Sequence, residues 1–397
     1  MSTRSLWSSG NPSLYLPIVF SLLSGCADPV IVDPVPDGGT TPKGDGMTNT
    51  SLPRFSASAT LDPALLAEAG GTDVNRRWKR DPHYVKDGST SYLFFAGSSN
   101  ATEQWSISYF SNSTGGDLTN SQPWKQAFVA RTAPNWDTKD LTAPFALRTS
   151  TGWSVYYAAN GDSTTGMAKP DYVLQIGRAS GTDLNALTRE GAPVMPTPAF
   201  SGTDANATPA TVRKDAWGVT DPWILSESNA LTLYYAGLDC QNDPCQFRIF
   251  RTVSTDNGAT FPPGEVVLSG RSGNVDEAGG VAGPSVVVRN GVYLLAYTAV
   301  KNAPTKSRDG IRRALSTGSV GLAVSADGKN FQPGTRDGGP LVAPVSTSFN
   351  YRSSGCGAPS LYLDGMTLRG YLAGLLDQST QGTYYSMGDM NLTQESQ

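Results

Sequence analysis

The amino-acid sequence predicts an all-β fold, and three observations carry that expectation. Only 16% of the 397 residues are charged while 43 are glycine, a balance that suits many tight turns better than helices. Short runs of Val, Leu, Tyr and Phe flank hairpin dipeptides at Asp87-Gly88, Asn290-Gly291 and Asp364-Gly365. One plan also recurs five times: a proline at a strand entrance, a short apolar strand, a tight turn, then an aromatic-rich strand ending in small residues.

The five segments are DPHYVKDGSTSYLFFAG from Asp81, APFALRTSTGWSVYYAA from Ala143, DPWILSESNALTLYYAG from Asp221, GPSVVVRNGVYLLAYT from Gly283 and APSLYLDGMTLRGYLAG from Ala358. Each is followed by a third strand-like run: WSISYF, VLQIGRA, FRIFRTV, VGLAVS and TYYSMG. A unit of this kind is one small antiparallel sheet that cannot bury both faces alone, so neighbours must stack on it around a central channel. Five units predict a five-bladed β-propeller over residues 56–397. Residues 51–60 are expected to add the outer strand of the last blade and close the ring. Residues 62–71, DPALLAEAGG, read as a short helix with Asp62 as cap and Pro63 in its first turn.

Upstream of the propeller, Arg4 and the apolar run Leu14–Leu23 form a targeting segment over residues 1–26. It ends in Leu23-Ser24-Gly25-Cys26, which resembles the lipobox of bacterial lipoproteins, where the cysteine is lipidated. An ordinary secretory signal is the alternative. Either way the expectation is export, with the lipobox placing the protein on the bacterial cell envelope and touching membrane through the lipid alone. Residues 27–55 are rich in Pro, Gly, Asp and Thr without apolar periodicity, and read as a flexible tether.

Net charge of -4 argues against nucleic acid, which would need a basic face. The local basic run Arg76, Arg77, Lys79 and Arg80 reads as a solvated turn. Cys240 and Cys245, in DCQNDPCQ between two strands, are expected to form a disulfide, leaving Cys356 buried and inert. Two later turns are STDNGATF at 254–261 and SADGKNF at 325–331; the first resembles the Asp-box of sialidases and other propellers, where the aspartate folds a turn.

The entrances are similar to those of five-bladed glycosidases, the arabinanase, xylosidase and levansucrase superfamily, and within it to glycoside hydrolase family 43. The resemblance runs from about residue 75 onward, at the level of blade motifs. It implies Asp81, in Asp81-Pro82, as catalytic base, and Asp221, in Asp221-Pro222, as the carboxylate that tunes the acid and orients substrate. The second entrance, usually Trp-Ala-Pro, here reads Thr142-Ala143-Pro144. The fourth, usually Glu-Gly-Pro with the glutamate as general acid, here reads Ala282-Gly283-Pro284. An inverting glycosidase needs an acid and a base about 6.5–9.5 Å apart, and alanine is neither.

Three readings follow. Asp276 or Glu277 substitutes for the acid, Glu277 being favoured for its longer side chain; the propeller binds a glycan without cleaving it; or the entrances are scaffold alone, with function in loops or protein contacts. His83, Phe145 and Trp223, each two residues past an entrance residue, would stack on a sugar or pack blade on blade. Asp140 is a possible third carboxylate. The ligand expected is a polysaccharide or oligosaccharide, with arabinose or xylose implied by the resemblance alone. His83, the lone histidine, has no partners at zinc-ligand spacing. No cofactor is expected, although a structural calcium in the channel, as in some relatives, would leave no mark in the sequence. A monomer is expected.

Overall fold

The computed structural model describes residues 52–60 and 78–396, less short stretches of which 162–172 and 345–354 are the longest. The strands of the described residues fall into five four-stranded antiparallel sheets and one small two-stranded sheet, Phe200–Ser201 with Thr208–Pro209. Blade I comprises Trp78–Asp87, Thr90–Ser98, Ser106–Asn112 and Lys125–Phe128. Blade II comprises Leu141–Thr149, Gly152–Ala159, Gln175–Gly181 and Thr188–Arg189. Blade III has Val219–Glu227, Ala230–Asp239, Gln246–Ser254 and Glu265–Ser269, and blade IV has Val281–Arg289, Val292–Val300, Gly318–Ser325 and Gln332–Pro333. Blade V takes Gly355–Asp364, Thr367–Gln378 and Gly382–Gln394. The first strand of every blade contacts the first strand of the next, and that of blade V contacts that of blade I, so the ring is closed: a five-bladed β-propeller.

The fourth strand of blade V is Phe55–Thr60, paired antiparallel from Phe55↔Gln394 to Thr60↔Asp389. The early strand thus closes the ring as expected. The propeller begins sooner than position 56, however. Phe55 is buried, Leu52 packs against the same core, and Arg54 Nη1 donates to the carbonyls of Pro333 and Thr335 at 2.6 and 3.0 Å. The expected signal segment, Cys26, most of the tether and the helix at 62–71 lie outside the described residues.

The Tyr-Tyr pairs of the second strands show how alternation builds the stack. Successive side chains point to opposite faces. Tyr156 Oη of blade II therefore reaches forward to the Gly258 carbonyl of blade III at 3.3 Å, and Tyr234 Oη of blade III reaches Gly328 of blade IV at 2.8 Å. Both carbonyls belong to the aspartate turns. Gly258 sits at φ +78°, and a Cβ there would meet Tyr156 Oη at 2.1 Å, so glycine is required twice over. Asp256 accepts from the Thr260 hydroxyl and amide and from Ser254 Oγ, which holds its carboxyl down at about 2. Asp327 is likewise held below the usual carboxylate range, first by the Asn330 and Lys329 amides. These turns lock neighbouring blades together.

Cys240 and Cys245 form a disulfide across the connection between the second and third strands of blade III, and Cys356 is a buried free thiol. The basic run is not a solvated turn where it is described. Lys79 and Arg80 lie in the first strand of blade I and are buried, Lys79 with its Nζ 5.7 Å from the centre of the Phe110 ring. A long apolar stem lets a lysine enter such a strand while its ammonium finds a partner.

Candidate functional site

All five entrances share one distorted geometry. Asp81, Ala143, Asp221, Gly283 and Ala358 adopt φ of 53°, 49°, 53°, 54° and 46°, the left-handed region, immediately before proline. Non-glycine residues reach it at a cost of about 1–2 kcal/mol, and a following proline normally pushes its predecessor to extended backbone. Each also marks a register shift in which three residues of the first strand span two of the second, as in Arg80↔Ala96 and His83↔Phe94. The entrance is thus a β-bulge whose extra residue turns out of the ladder. Five bulges converge on an open depression lined by the left-handed residue and the proline of every entrance together with Trp223.

Side chains of one blade satisfy the amides that the bulges free in the next. The Ala143 N–H donates to Asp81 Oδ2 at 3.1 Å, and the Gly283 N–H donates to Asp221 Oδ2 at 3.0 Å. The Ala358 N–H donates to Thr298 Oγ1 at 2.8 Å. Asp81 and Asp221 therefore do two things at once: they tie blade I to II and blade III to IV, and they present carboxylates to the depression.

Their charges are unequally compensated. Arg80 Nε donates to both oxygens of Asp81, at 3.0 and 2.9 Å. No salt bridge reaches Asp221 among the described residues; its Oδ1 accepts only the Thr220 hydroxyl at 3.1 Å. Burial, and then the negative charge of Asp81, push the Asp221 carboxyl up to about 6.

Beneath the depression the channel is filled. The bulge shifts the alternation by one residue, so His83 does not share the face of Asp81 as a regular pleat would require. Instead the residues two past each entrance residue plug the axis, where all five are buried. His83 Nε2 bonds the Ala146 carbonyl at 3.0 Å, and Trp223 Nε1 donates to the Val286 carbonyl at 2.7 Å. Ser285 Oγ accepts the Leu361 amide at 2.7 Å and Ser360 Oγ the Tyr84 amide at 3.0 Å. Phe145 packs between His83 and Trp223, with ring centres 4.2 and 5.1 Å away. A carbonyl only accepts, so His83 carries its proton on Nε2; burial lowers its pKa to about 4. Of the three rings expected to meet a sugar, Trp223 alone reaches the depression.

The expected substitute acid, Glu277, does not line the depression. Glu277 is buried away from the depression, its carboxylate accepting from Arg271 Nη2 at 2.6 Å, the Arg271 amide at 2.8 Å and Tyr297 Oη at 2.9 Å. The same clamp occurs in two other blades. Asp137 holds Arg131, Arg189 and Tyr157, and Asp215 holds Arg213 and Tyr235. In all three the tyrosine lies 20 residues after the acid. Burial, and then the adjacent carboxylate, raise all three phenols. Glu277 is thus the blade IV copy of a scaffold element, which sequence reading missed because its arginines stand at varying separations. Asp276, in the short 3-10 turn Val275–Glu277, does not line the depression either. Asp140 is buried against the Trp105 amide at 3.4 Å, outside the depression.

Ala282 is fully buried, in an apolar cluster with Trp217, Leu238, Phe247, Val300, Ile311 and the Cys240–Cys245 pair. Among the described residues no group of three or more His, Cys, Asp or Glu side chains is placed to hold a metal ion.

No protein-family model matches the chain, and no curated protein sequence matches it significantly. Solved structures do. The catalytic domain of a family 62 α-L-arabinofuranosidase from Coprinopsis cinerea is 17% identical over 86% of this chain and 98% of that one, with a TM-score of 0.55. A family 117 glycoside hydrolase from Zobellia galactanivorans is 14% identical over 85% and 90%, at 0.54. An exo-1,5-α-L-arabinanase from a bovine ruminal metagenomic library is 13% identical over 81% and 98%, at 0.51. At such identities the likeness speaks for the fold: the chain is a five-bladed β-propeller built like those of glycoside hydrolases.

Proposed function

We propose that this propeller binds a glycan at its channel mouth without hydrolysing it. One observation carries the reading: the depression offers two carboxylates and an indole, Asp81, Asp221 and Trp223, while the position of the expected general acid is the buried Ala282. Carboxylate oxygens accept hydrogen bonds from sugar hydroxyls, and an aromatic ring suits the apolar C–H face of a sugar. The glycosidase neighbours, arabinose-releasing enzymes among them by their names, support a plant-type or microbial glycan as ligand. Titration with arabino- and xylo-oligosaccharides is expected to give binding with no reducing sugar released. Asp81→Asn is expected to weaken it about tenfold, as loss of a hydrogen bond to a charged group allows. No binding by the folded wild-type protein would end this reading.

One observation favours a second reading, hydrolysis with Asp221 as acid and Asp81 as base: the Asp221 carboxyl, raised to about 6, keeps a proton closer to neutrality than an ordinary aspartate. Release of sugar from the same oligosaccharides, abolished by Asp81→Asn, would select it.

The lipobox-like run ending at Cys26 supports a lipid anchor in an exported protein, and the Cys240–Cys245 disulfide suits an oxidising compartment. Metabolic labelling with a fatty acid in a bacterial host is expected to mark the protein and to be lost in Cys26→Ala. Equal labelling of both would refute the anchor.

A further inference from the structure

Asp81 is neutralised by Arg80, whereas Asp221 has no ion pair among the described residues and one hydrogen bond on each oxygen, from Thr220 and Gly283. A carboxylate has about four acceptor sites, so each oxygen keeps one open. Among the described residues the rest of the rim offers no charge: blade II contributes Ala143 and Pro144, blade IV Gly283 and Pro284, and blade V Ala358 and Pro359. Low-dielectric walls of this kind focus the field of the carboxylate that they surround.

We propose that Asp221 makes the depression selective for the charge of the sugar it receives, preferring a residue with an ammonium group, such as a 2-amino sugar, over its N-acetylated form and rejecting a uronate. The proposal rests on the glycan-binding reading of the same depression. An ammonium donates three hydrogen bonds and accepts none, which matches the open acceptor sites of Asp221 and supplies its missing counter-charge. Acetylation removes that charge. A uronate would add a third carboxylate beside Asp81 and Asp221, with Arg80 already engaged.

The titratable and charged groups facing Asp221 among the described residues are Asp81 and Arg80, both from blade I; the described residues of blades II, IV and V bring none to the rim. Its carboxyl, raised to about 6, is mostly ionised at pH 7 and mostly protonated at pH 5. Selectivity should therefore be present at pH 7 and fade at pH 5, with proton release when the ammonium ligand binds near pH 6.

The test is calorimetric titration of the full chain at low salt with glucosamine trimer, N-acetylglucosamine trimer, galacturonic acid trimer and xylotriose, at pH 7 and pH 5. At pH 7 the glucosamine trimer is expected to bind at least about tenfold tighter than its acetylated form, with the uronate trimer unbound. The ratio should fall towards one at pH 5 and, at pH 7, in Asp221→Asn with an intact melting transition. Equal affinity for the two trimers at pH 7, a preference that survives in Asp221→Asn, or binding of the uronate would overturn the proposal. Should the variant not fold, the pH comparison on the wild-type protein decides alone. Xylotriose bound by a protein without charge preference would sink this inference and leave the glycan reading standing; no trimer bound at all would sink both.

Discussion

Substituting glutamate for Ala282, which restores the acid that the family resemblance implies, is expected to destabilise the protein by about 3 kcal/mol or more and to create no glycosidase. Ala282 has no exposed surface and packs among Trp217, Leu238, Phe247, Val300, Ile311 and the disulfide. Two penalties combine there, extra volume in a packed core and a charge without solvent. Ala282→Gln separates them, since it adds the same bulk without ionising. A buried glutamate has its pKa raised, so its penalty is present above that raised value and relieved as pH falls through it. Urea unfolding should then show Ala282→Glu recovering towards Ala282→Gln between neutral and acidic pH. Wild-type stability for Ala282→Glu at pH 7, with new sugar release, would show instead that the position opens onto the depression.

The architecture was legible because it repeats. Five entrances, three hairpin dipeptides and two aspartate turns each mark a backbone geometry that few residues satisfy, so their recurrence at blade spacing exposes the ring. The closing strand at Phe55–Thr60 lies within residues 51–60, which were expected to add the outer strand of the last blade. The site was legible only in part. Asp81 and Asp221 were found from their prolines, but the bulge at each entrance was not, and it decides which side chains face out. A regular pleat would bring His83 up beside Asp81; the extra residue sends it down to plug the axis with Phe145. Glu277 misled for a similar reason. Its proximity in sequence to the bare fourth entrance suggested chemistry, whereas its partners lie at Arg271 and Tyr297. A signal for the clamp was nevertheless present. An acid stands seven residues before the entrance prolines Pro144, Pro222 and Pro284, each with a tyrosine in the second strand of its blade. Blades I and V have Asn75 and Arg352 at the acid position, and Phe95 and Leu372 where the tyrosine would be. The hydroxyl is present only where there is a carboxylate to receive it.

That correlation yields the other large expected effect. Asp137→Ala, Asp215→Ala and Glu277→Ala should each destabilise the propeller by about 3–5 kcal/mol, because each leaves an arginine and a buried phenol without their acceptor. The Asp137 variant is expected to lose most, since its carboxylate holds two arginines, Arg131 and Arg189, and its side chain is wholly buried. Tyr297→Phe removes one hydrogen bond and leaves the Arg271–Glu277 pair intact, so a loss nearer 1 kcal/mol is expected. Chemical unfolding of the four variants measures all of this on one scale. A catalytic acid behaves differently: its removal costs turnover and leaves stability almost unchanged or improved, because active-site carboxylates are held at an energetic disadvantage. Glu277→Ala unfolding in step with Asp137→Ala and Asp215→Ala would therefore place it among the scaffold residues on grounds independent of any substrate. A Glu277→Ala protein as stable as the wild type would break the set of three and return Glu277 to the list of candidate acids.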